Sequence, residues 1–427
     1  MHSTTKLNIS PDNTILLAKT RHIEELDRLS VSIQFVESIG WMVHQLQAER
    51  GASCLYLASA GSRFAKERSA IIEQNQTSEA GFTEALQRYL SHNTSADAKQ
   101  TLVSWILLGL EQLRPFRHQV TLLKIPFSDC IQSYTRLIGS LISLIFEITD
   151  NTVNSKISTY LVALYNLVQG KEFAGQERAL GSHLFGSGYM QLEHQHKLLE
   201  LIAQQDRHFE LFSQFGTEPL REAWRASMVT DAHRMQHAYR NKLTAAKDQQ
   251  ALSRADSDAW FDVCSQRLTE IWHIQCQLVA AMHETLNTLS EQAKRDLENT
   301  RQHLDELRNR QSPATSVDST FFNLAIPLEN AFTFLAHDEL TPYPMESIIA
   351  LLQQQSQQLA EIENELSETK KSLAERKRIE RAKGLLMSKL GLTEMEAYKM
   401  LRNTAMEQNR KLIDVAENII TLSTQGQ

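Results

Sequence analysis

The stretch ERKRIERAKGLLMSKLGLTEMEAYKMLRNTAMEQNRKLIDVAENII, residues 375–420, decides the fold of the C-terminal part of this 427-residue chain. Its apolar residues recur every three or four positions, which is the spacing of one buried helix face. Gly391 ends the first run and Asn409 the second, so the pattern predicts three short helices. Helices this short must pack together to be stable. The predicted stripes contain Ile379, Ala382, Leu386 and Leu390, then Ala397, Met400, Leu401, Thr404 and Ala405, then Leu412, Val415, Ala416, Ile419 and Ile420.

The same stretch is strongly basic. From Lys370 to Lys411 the chain has 12 lysine and arginine residues against 5 acidic ones, a net charge of +7. Because the whole chain carries −7, the remaining residues carry −14. A basic helical module on an acidic chain favours a polyanionic partner, usually nucleic acid. The alternative is an ordinary solvated helix face, since lysine and arginine are good helix formers.

Four segments of this stretch resemble the ANTAR module, the RNA-binding effector of bacterial transcription antiterminators. They are AKGLLM (382–387), EAYKMLR (396–402), AM (405–406) and NRKLIDVA (409–416). The resemblance implies a three-helix unit that binds a hairpin in a nascent leader RNA. It also implies the outcome, because a held antiterminator hairpin keeps the terminator from forming.

RNA hairpin loops offer unstacked bases, and basic side chains supply phosphate contacts. Tyr398 lies one turn before Arg402, so it is expected either to stack on a loop base or to lie in the three-helix core. The expected RNA contacts are Arg378, Arg381, Lys383, Lys389, Tyr398, Arg402, Arg410 and Lys411.

Composition indicates an all-α chain of two or three domains. Glycine and proline total only 23 residues, and alternating valine-rich runs are scarce. The four cysteines, at 54, 130, 264 and 276, are scattered, so they are interpreted as free thiols in a reducing cytoplasm. The N-terminus lacks the apolar core of a signal peptide, and no apolar run is long enough to span a bilayer. We therefore expect a cytoplasmic protein with no membrane partner.

The domain order is expected to be a polar tail, a helical sensor, a linker, a connecting helix and the basic module. Leucines at 352, 359, 366 and 373 recur every seventh residue, which predicts a weak coiled coil or a helix packed on the sensor. The expected domain boundaries are 1–13, 14–308, 309–346, 347–374 and 375–427. Helices are predicted at 14–60, 64–75, 79–91, 97–112, 128–149, 151–186, 188–213, 217–248 and 256–308, with Pro115 and Pro126 as breaks.

Two similar motifs lie far apart in the sensor region. QLQAERGAS (45–53) and KEFAGQERALGS (171–182) each contain a Glu-Arg pair at the end of an apolar helix. Two related helical bundles would explain the repetition. In that arrangement Arg50 and Arg178 lie close to the protein interior, where an unpaired charge is very costly. They form either intrachain ion pairs, for example with Glu49 and Glu177, or a clamp for a small planar oxyanion.

The ordered motif pair resembles the NIT domain, an all-helical sensor of nitrate and nitrite found ahead of several bacterial output modules. The resemblance covers roughly residues 30–290, and it implies that Arg50 and Arg178 bind the anion. A further arginine from the 217–248 helix is expected to join them, Arg240 being favoured over Arg234. A NIT domain followed by an ANTAR domain is similar to the nitrate-responsive antiterminators of nitrate-assimilation operons.

The resulting prediction is a nitrate- or nitrite-responsive antitermination regulator that binds a leader RNA hairpin. The transcription elongation complex is expected to be an indirect partner. The sequence does not decide whether the protein forms a homodimer. The alternative is a helical interaction or DNA-binding regulator that responds to another small anion. No catalytic motif is present, so no enzyme is expected, and no cofactor besides the anion effector. His233 and His237 have metal-compatible spacing, but no third ligand is apparent, so no metal site is predicted.

Overall fold

The computed structural model describes residues 11–93, 97–149, 154–309, 378–379, 382, 386, 394–408 and 410–424. The described residues are helical apart from turns, connecting segments and an isolated bridge between Tyr189 and Ala251. The prediction of an all-α fold is therefore confirmed. The helices are α1 (Pro11–Ala58), α2 (Ala65–His92), α3 (Asp97–Thr121), α4 (Phe127–Thr149), α5 (Ser155–Ser187), α6 (Leu192–Phe215), α7 (Glu218–Ser227), α8 (Asp231–Ala245), α9 (Asp256–Asn309), α10 (Glu394–Glu407) and α11 (Leu412–Thr424).

Local chemistry fixes where α5 starts and ends. The side chain of Asn154 accepts a hydrogen bond from the backbone N–H of Ile157, which satisfies one of the free donors of the first turn. Gly188 has a φ of 86°, the left-handed conformation that glycine takes without strain, and its N–H donates to the carbonyls of Leu184 and Phe185. The two caps stabilise the ends of α5, the long helix that carries the second Glu-Arg motif.

Contacts divide the chain into two compact units. The first unit comprises Met1–Ser30 and His283–Ser367. In its described part, Ile15 and Leu304 are buried and Lys19 pairs with Asp296. The second unit comprises Val31–Met282 and Glu368–Gln427 and contains both Glu-Arg motifs.

Within the second unit the helices of the sensor form two neighbouring sets. Phe35 of α1 packs on Phe82 and Tyr89 of α2, and α3 packs on α4. The second set has a buried cluster that includes Phe185 of α5, Leu198 of α6 and Trp260 of α9. Because α4 packs on α5, the two sets share an interface.

Three predicted helix boundaries were wrong. The two helices expected at 64–75 and 79–91 form the single helix α2. Pro115 lies inside α3 instead of ending it, so only one internal hydrogen bond of that helix is lost. The helix expected at 217–248 is split into α7 and α8, because Thr230 caps the start of α8 with its side chain.

Helices α10 and α11 pack together around a small core of their own. Of the predicted stripe, Met400 is 45% exposed and so does not belong to this core, whereas Leu390 lies outside the described residues. The linker 309–346, apart from Asn309 at the end of α9, and the connecting helix 347–374 also lie outside them. The buried residues of the core are Ala382, Leu386, Ala397, Leu401, Ala405, Val415 and Ala416.

Candidate functional site

The two Glu-Arg motifs meet where α1 faces α5. Each motif contains a glycine against which the arginine of the other motif packs. A β-carbon added to Gly175 would lie 2.7 Å from Nη2 of Arg50. One added to Gly51 would overlap Nη2 of Arg178 and lie 3.0 Å from its Cζ. Each motif therefore contributes an arginine and a glycine notch, and each notch receives the guanidinium from the opposite helix.

Arg50 is fully buried and is bound by side chains of two other helices. It forms an ion pair with Glu172 of α5, and its Nη1 donates to Oγ1 of Thr135 on α4 at 2.9 Å. Glu172 also accepts from Gln47 at 2.9 Å and from Gln176 at 2.9 Å. The carboxylate of Glu172 is thus shared among several donors.

Arg178 is buried, and no carboxylate of the described residues pairs with it. Its Nη1 donates to Oγ of Ser265 at 2.9 Å and its Nη2 to the carbonyl of Gln47 at 3.1 Å, while its Cζ lies 4.7 Å from the centre of the Phe261 ring. In the described part of the chain, the Nε atoms of Arg178 and Arg50 have no acceptor. Burial, followed by the charge of Arg50, lowers the pKa of Arg178 to about 10, so the group is still charged at neutral pH.

The carboxylates of the two motifs hold other arginines. Glu49 accepts from Nε and Nη2 of Arg117 on α3, both at 2.7 Å, and from the hydroxyl of Tyr134 on α4. Burial alone would lower the pKa of Arg117, but its hydrogen bonds to Glu49 raise it overall. The expected ion pairs Arg50–Glu49 and Arg178–Glu177 are therefore absent from these described residues. Side chains at adjacent positions of a helix point in different directions, so the glutamate and the arginine of one motif do not face each other.

Glu177 is the counterpart of Glu49 in the second motif. It accepts from Nε and Nη2 of Arg240, both at 2.6 Å, and from Gln205 at 2.8 Å. Arg240, which the sequence favoured as a third anion ligand, is therefore engaged as the partner of Glu177. Arg234 is 70% exposed and pairs with Asp231 on the surface of α8, so the structure does not bring it to the two motif arginines.

A further buried basic residue, Lys171, lies two turns before Arg178 on α5. Nζ of Lys171 lies 3.1 Å from Nδ1 of His44 and 3.4 Å from Oε1 of Gln275, and 4.5 Å from the centre of the Trp272 ring. Burial lowers the pKa of Lys171 to about 7 and the pKa of His44 to about 2, so His44 is neutral and accepts from the ammonium group. Sequence reasoning missed this residue, although it opens the quoted motif KEFAGQERALGS.

The predicted RNA-contacting residues are only partly described. Arg402, Arg410 and Lys411 are exposed, and Arg378 pairs with Glu417 of α11. Tyr398 is half-buried, and Cζ of Arg207 on α6 lies 4.4 Å from its ring centre. The remaining predicted contacts, Arg381, Lys383 and Lys389, lie outside the described residues.

The other candidates considered from the sequence form no site. His233 and His237 lie on α8, and among the described residues no cluster of three His, Cys, Asp or Glu side chains is arranged to hold a metal ion. All four cysteines are free, with only Cys276 exposed. None of the helices in the described ranges is both long and apolar enough to cross a membrane.

Comparison with known proteins identifies two families in this chain. The family described as nitrate and nitrite sensing matches residues 42–283, and the ANTAR domain matches residues 367–420. The nitrate regulatory protein of Klebsiella oxytoca is 27% identical over 426 residues, covering 97% of this chain and 96% of that protein. The transcriptional regulatory protein PdtaR of Mycobacterium tuberculosis is 38% identical over 68 residues, which are 16% of this chain and 33% of PdtaR.

Among solved structures, that of the NasR transcription antiterminator covers 96% of this chain and 98% of its own, with a TM-score of 0.60 and 23% sequence identity. A helical sensor with paired motif arginines and a C-terminal ANTAR domain defines the class of protein, a nitrate-responsive transcription antitermination regulator. The chain belongs to the nitrate and nitrite sensing family. Both matched families are regulatory, and neither is enzymatic.

Proposed function

We propose that nitrate or nitrite binds between Arg50 and Arg178 and thereby frees the C-terminal module to bind a leader RNA hairpin. The bound hairpin prevents formation of the terminator in the transcript of a nitrate-assimilation operon. The single observation that carries the proposal is the pair of buried motif arginines, each packed against a glycine of the opposite helix, of which Arg50 alone pairs with a carboxylate, Glu172, among the described residues. The anion is the effector, and the proposal needs no other cofactor.

The charge balance around the two guanidiniums supports an anion. Arg50, Arg178 and Lys171 are buried cations, and Glu172 is the carboxylate that contacts one of them. A buried charge without a counterion is strongly destabilising. A monovalent oxyanion would supply the missing negative charge, and the free Nε atoms would supply donors for it. Nitrate and nitrite are planar, which suits the planar fork of N–H groups that a guanidinium presents.

The exposed basic residues of the module support the RNA half of the proposal. Arg402, Arg410 and Lys411 are free of ion pairs in the described part of the chain and are accessible for phosphate contacts. Such contacts give affinity that falls with salt, and loop bases add stacking partners. Tyr398 is the stacking candidate, but the guanidinium of Arg207 covers its ring.

The contact between Arg207 and Tyr398 gives a route for coupling. It belongs to a state in which the module rests on α6 of the sensor. An effector shifts such an equilibrium only if it binds one state better than the other. In the proposed mechanism the anion favours the state in which Tyr398 is uncovered, and the acidic remainder of the chain disfavours RNA until then.

The direct test is calorimetric titration with nitrate, nitrite, chloride and sulfate. We expect heat with nitrate or nitrite, and its loss in Arg178→Gln, which removes the guanidinium and its charge but leaves a polar side chain. Arg234→Gln, an exposed arginine on α8, is the matched control and is expected to bind normally. If Arg178→Gln folds and still binds nitrate as the unaltered protein does, the anion site is elsewhere.

The functional test is transcription in vitro through a leader terminator, with and without nitrate. We expect readthrough to rise with nitrate, and gel retardation to show binding to a two-hairpin leader RNA and not to duplex DNA. A preference for duplex DNA would support the alternative, a DNA-binding regulator. Sedimentation of the same samples tests whether a homodimer forms.

A further inference from the structure

We infer that a cavity beside Arg178 is the chamber through which the anion reaches its site, and that the segment between α1 and α2 is its lid. The inference rests on the proposed function, since it concerns the route to the same two arginines. The cavity measures about 590 Å³ and lies between the end of α1, the second half of α5 and the start of α9. Its lining includes Gly51, Ser62, Arg63, His183, Arg254 and Phe261.

The inner end of the cavity is formed by residues that contact Arg178. Gly51 leaves the space that Nη2 of Arg178 occupies, and the ring of Phe261 lies against the guanidinium at 4.7 Å. Arg178 itself is only 6% exposed. An anion in the chamber is therefore one side chain, Phe261, away from a buried guanidinium whose Nε lacks an acceptor in the described part of the chain.

The rim of the cavity favours anions. Arg254 donates to the carbonyl of Ser187 at 3.2 Å and forms no ion pair with the described residues. Arg63 pairs with Asp258 of α9 at 2.6 Å, and both are about half exposed. Cations at the mouth of a narrow opening raise the local concentration of an anion and speed its association.

The lid is the short connection from Ser59 to Phe64. Ala60 and Phe64 have φ values of 50° and 62°, a conformation that residues with a β-carbon rarely adopt, and Gly61 has a φ of 82°. Two contacts hold this connection to the start of α9. They are the pair Arg63–Asp258 and the edge-to-face contact of Phe64 with Phe261, whose ring centres are 5.6 Å apart.

Residues with such backbone conformations occur at helix ends and also cluster at ligand clamps and switch regions, where surrounding contacts hold them. Opening the lid would break both contacts at once and release Phe261 from Phe64. The chamber would then connect solvent to Arg178. Such a lid controls how fast the anion enters and leaves, and it leaves the affinity unchanged because the bound and free end states are the same.

The test blocks the mouth of the chamber and follows nitrate binding in time. Ser62→Cys, in a Cys54→Ala and Cys276→Ser background, is labelled with N-phenylmaleimide, which is uncharged. Cys54 is replaced because it lines the cavity, and the remaining cysteines, Cys130 and Cys264, are buried and do not line it. Ser69→Cys, labelled in the same way, is the matched control, because Ser69 is also exposed and bonds its hydroxyl to a backbone carbonyl but does not line the cavity. Stopped-flow tryptophan fluorescence gives the rate constants, and calorimetry gives the Kd.

We expect the label at position 62 to slow association and dissociation alike, by about tenfold, with the Kd changed less than twofold. The label at position 69 should change neither rate. Unchanged rates at position 62, or a changed Kd with unchanged association, would overturn the access route while leaving the anion site intact. Absence of nitrate binding in the unlabelled protein would overturn the proposed function as well.

A second variant opens the lid instead of blocking it. Asp258→Asn removes the ion pair with Arg63, and we expect both rate constants to rise with little change in Kd. Asp262→Asn, an exposed carboxylate one turn further along α9, controls for the loss of one negative charge. Equal acceleration in both variants would point to general electrostatics and would contradict the lid.

Discussion

Gly51 and Gly175 are the smallest residues of the site, and they set how close the two motif arginines come to the opposite helix. Neither glycine is needed for an unusual backbone conformation, since both lie inside helices. Their function is spatial, because the guanidiniums of Arg178 and Arg50 occupy the places where β-carbons would be. The geometry of the site therefore depends on residues that have no side chain.

The first prediction tests this spacing. Gly51→Ala should displace Arg178 and abolish the heat of nitrate binding, because the new methyl group would overlap the guanidinium. Gly81→Ala is the matched control, since nothing lies within 4 Å of a β-carbon at that helical position. The control should be as stable as the parent or more stable by up to about 1 kcal/mol. Normal nitrate binding by Gly51→Ala would show that the notch does not position Arg178.

The second prediction concerns the carboxylates behind the site. Arg117→Met should lower the free energy of unfolding by about 3–5 kcal/mol, because it leaves Glu49 buried without its cation. Arg88→Met removes an exposed ion pair with Glu84, and it should cost about 1 kcal/mol or less. Urea unfolding of both variants measures the difference. Glu49 also accepts hydrogen bonds from Tyr134 and from the side-chain amide of Asn75, so equal costs would mean that these two donors alone satisfy it.

At the residue scale, the sequence predicted Arg50 and Arg178 as anion ligands, and this stays a prediction; it did not predict the residues that contact them in the structure. The pairing of Arg50 with Arg178 followed from two similar motifs. Glu172, the partner of Arg50, could not be inferred in the same way, since it lies on α5 whereas Arg50 lies on α1. The fit of Gly51 against Arg178 likewise depends on how α1 and α5 pack, which no local pattern specifies.

At the scale of helices, α1, α5 and α9 share a polar seam. Along it lie His44 and Gln47 on α1, Lys171 and Arg178 on α5, and Gln275 on α9. Apolar stripes predicted these helices, yet part of their shared interface is polar. Periodicity finds buried faces, but it cannot tell which turn of a helix carries a charge inward.

The third prediction uses the seam's lysine. Lys171 has a pKa of about 7 in the folded protein against an ordinary value of 10.5, so between these values the unfolded state binds more protons. Stability should therefore rise with pH from about 7 to 10.5, by up to about 1.4 kcal/mol per pH unit. Below pH 7 the lysine is protonated in both states, and its contribution to the slope disappears.

The variant Lys171→Met isolates this effect. The free energy of unfolding of Lys171→Met, minus that of the parent, should be largest near pH 7. The difference should become smaller as the pH approaches 10.5, because the parent gains stability over this range. Lys197→Met, an exposed lysine on α6, should show no such trend. Chemical unfolding at several pH values measures both differences, and a flat profile for Lys171→Met would mean that the lysine is charged throughout.

At the scale of the whole molecule, opposite charges are separated along the chain. The basic stretch of the C-terminal module carries +7 and the remainder −14, so the sensor disfavours a polyanion that the module attracts. The sequence predicted this division and the identity of both parts. It did not predict the contact of Arg207 with Tyr398, because a basic residue on an acidic sensor is not an obvious partner for a module rich in arginine.

The fourth prediction tests that contact. Arg207→Ala should increase binding of leader RNA in the absence of nitrate, because Tyr398 would no longer be covered. A cation on an aromatic ring contributes about 0.5–2 kcal/mol, so an increase of about 2- to 30-fold is expected. Lys197→Ala, which removes a positive charge from the same helix, should leave binding unchanged. Gel retardation at fixed salt measures the effect, and no change in Arg207→Ala would contradict the covering role.

The arginine of each motif packs against the glycine of the other, and this has a consequence for how the sensor can recombine or be engineered. Each guanidinium packs against a glycine of the opposite helix. If the two motifs are separated, each keeps its own arginine and its own glycine but loses the glycine and the arginine that they contact. Chimeras between relatives should retain responsiveness when both motifs come from one parent, and should lose it when the crossover falls between them. The two segments, distant in the gene, then behave as one indivisible heritable unit.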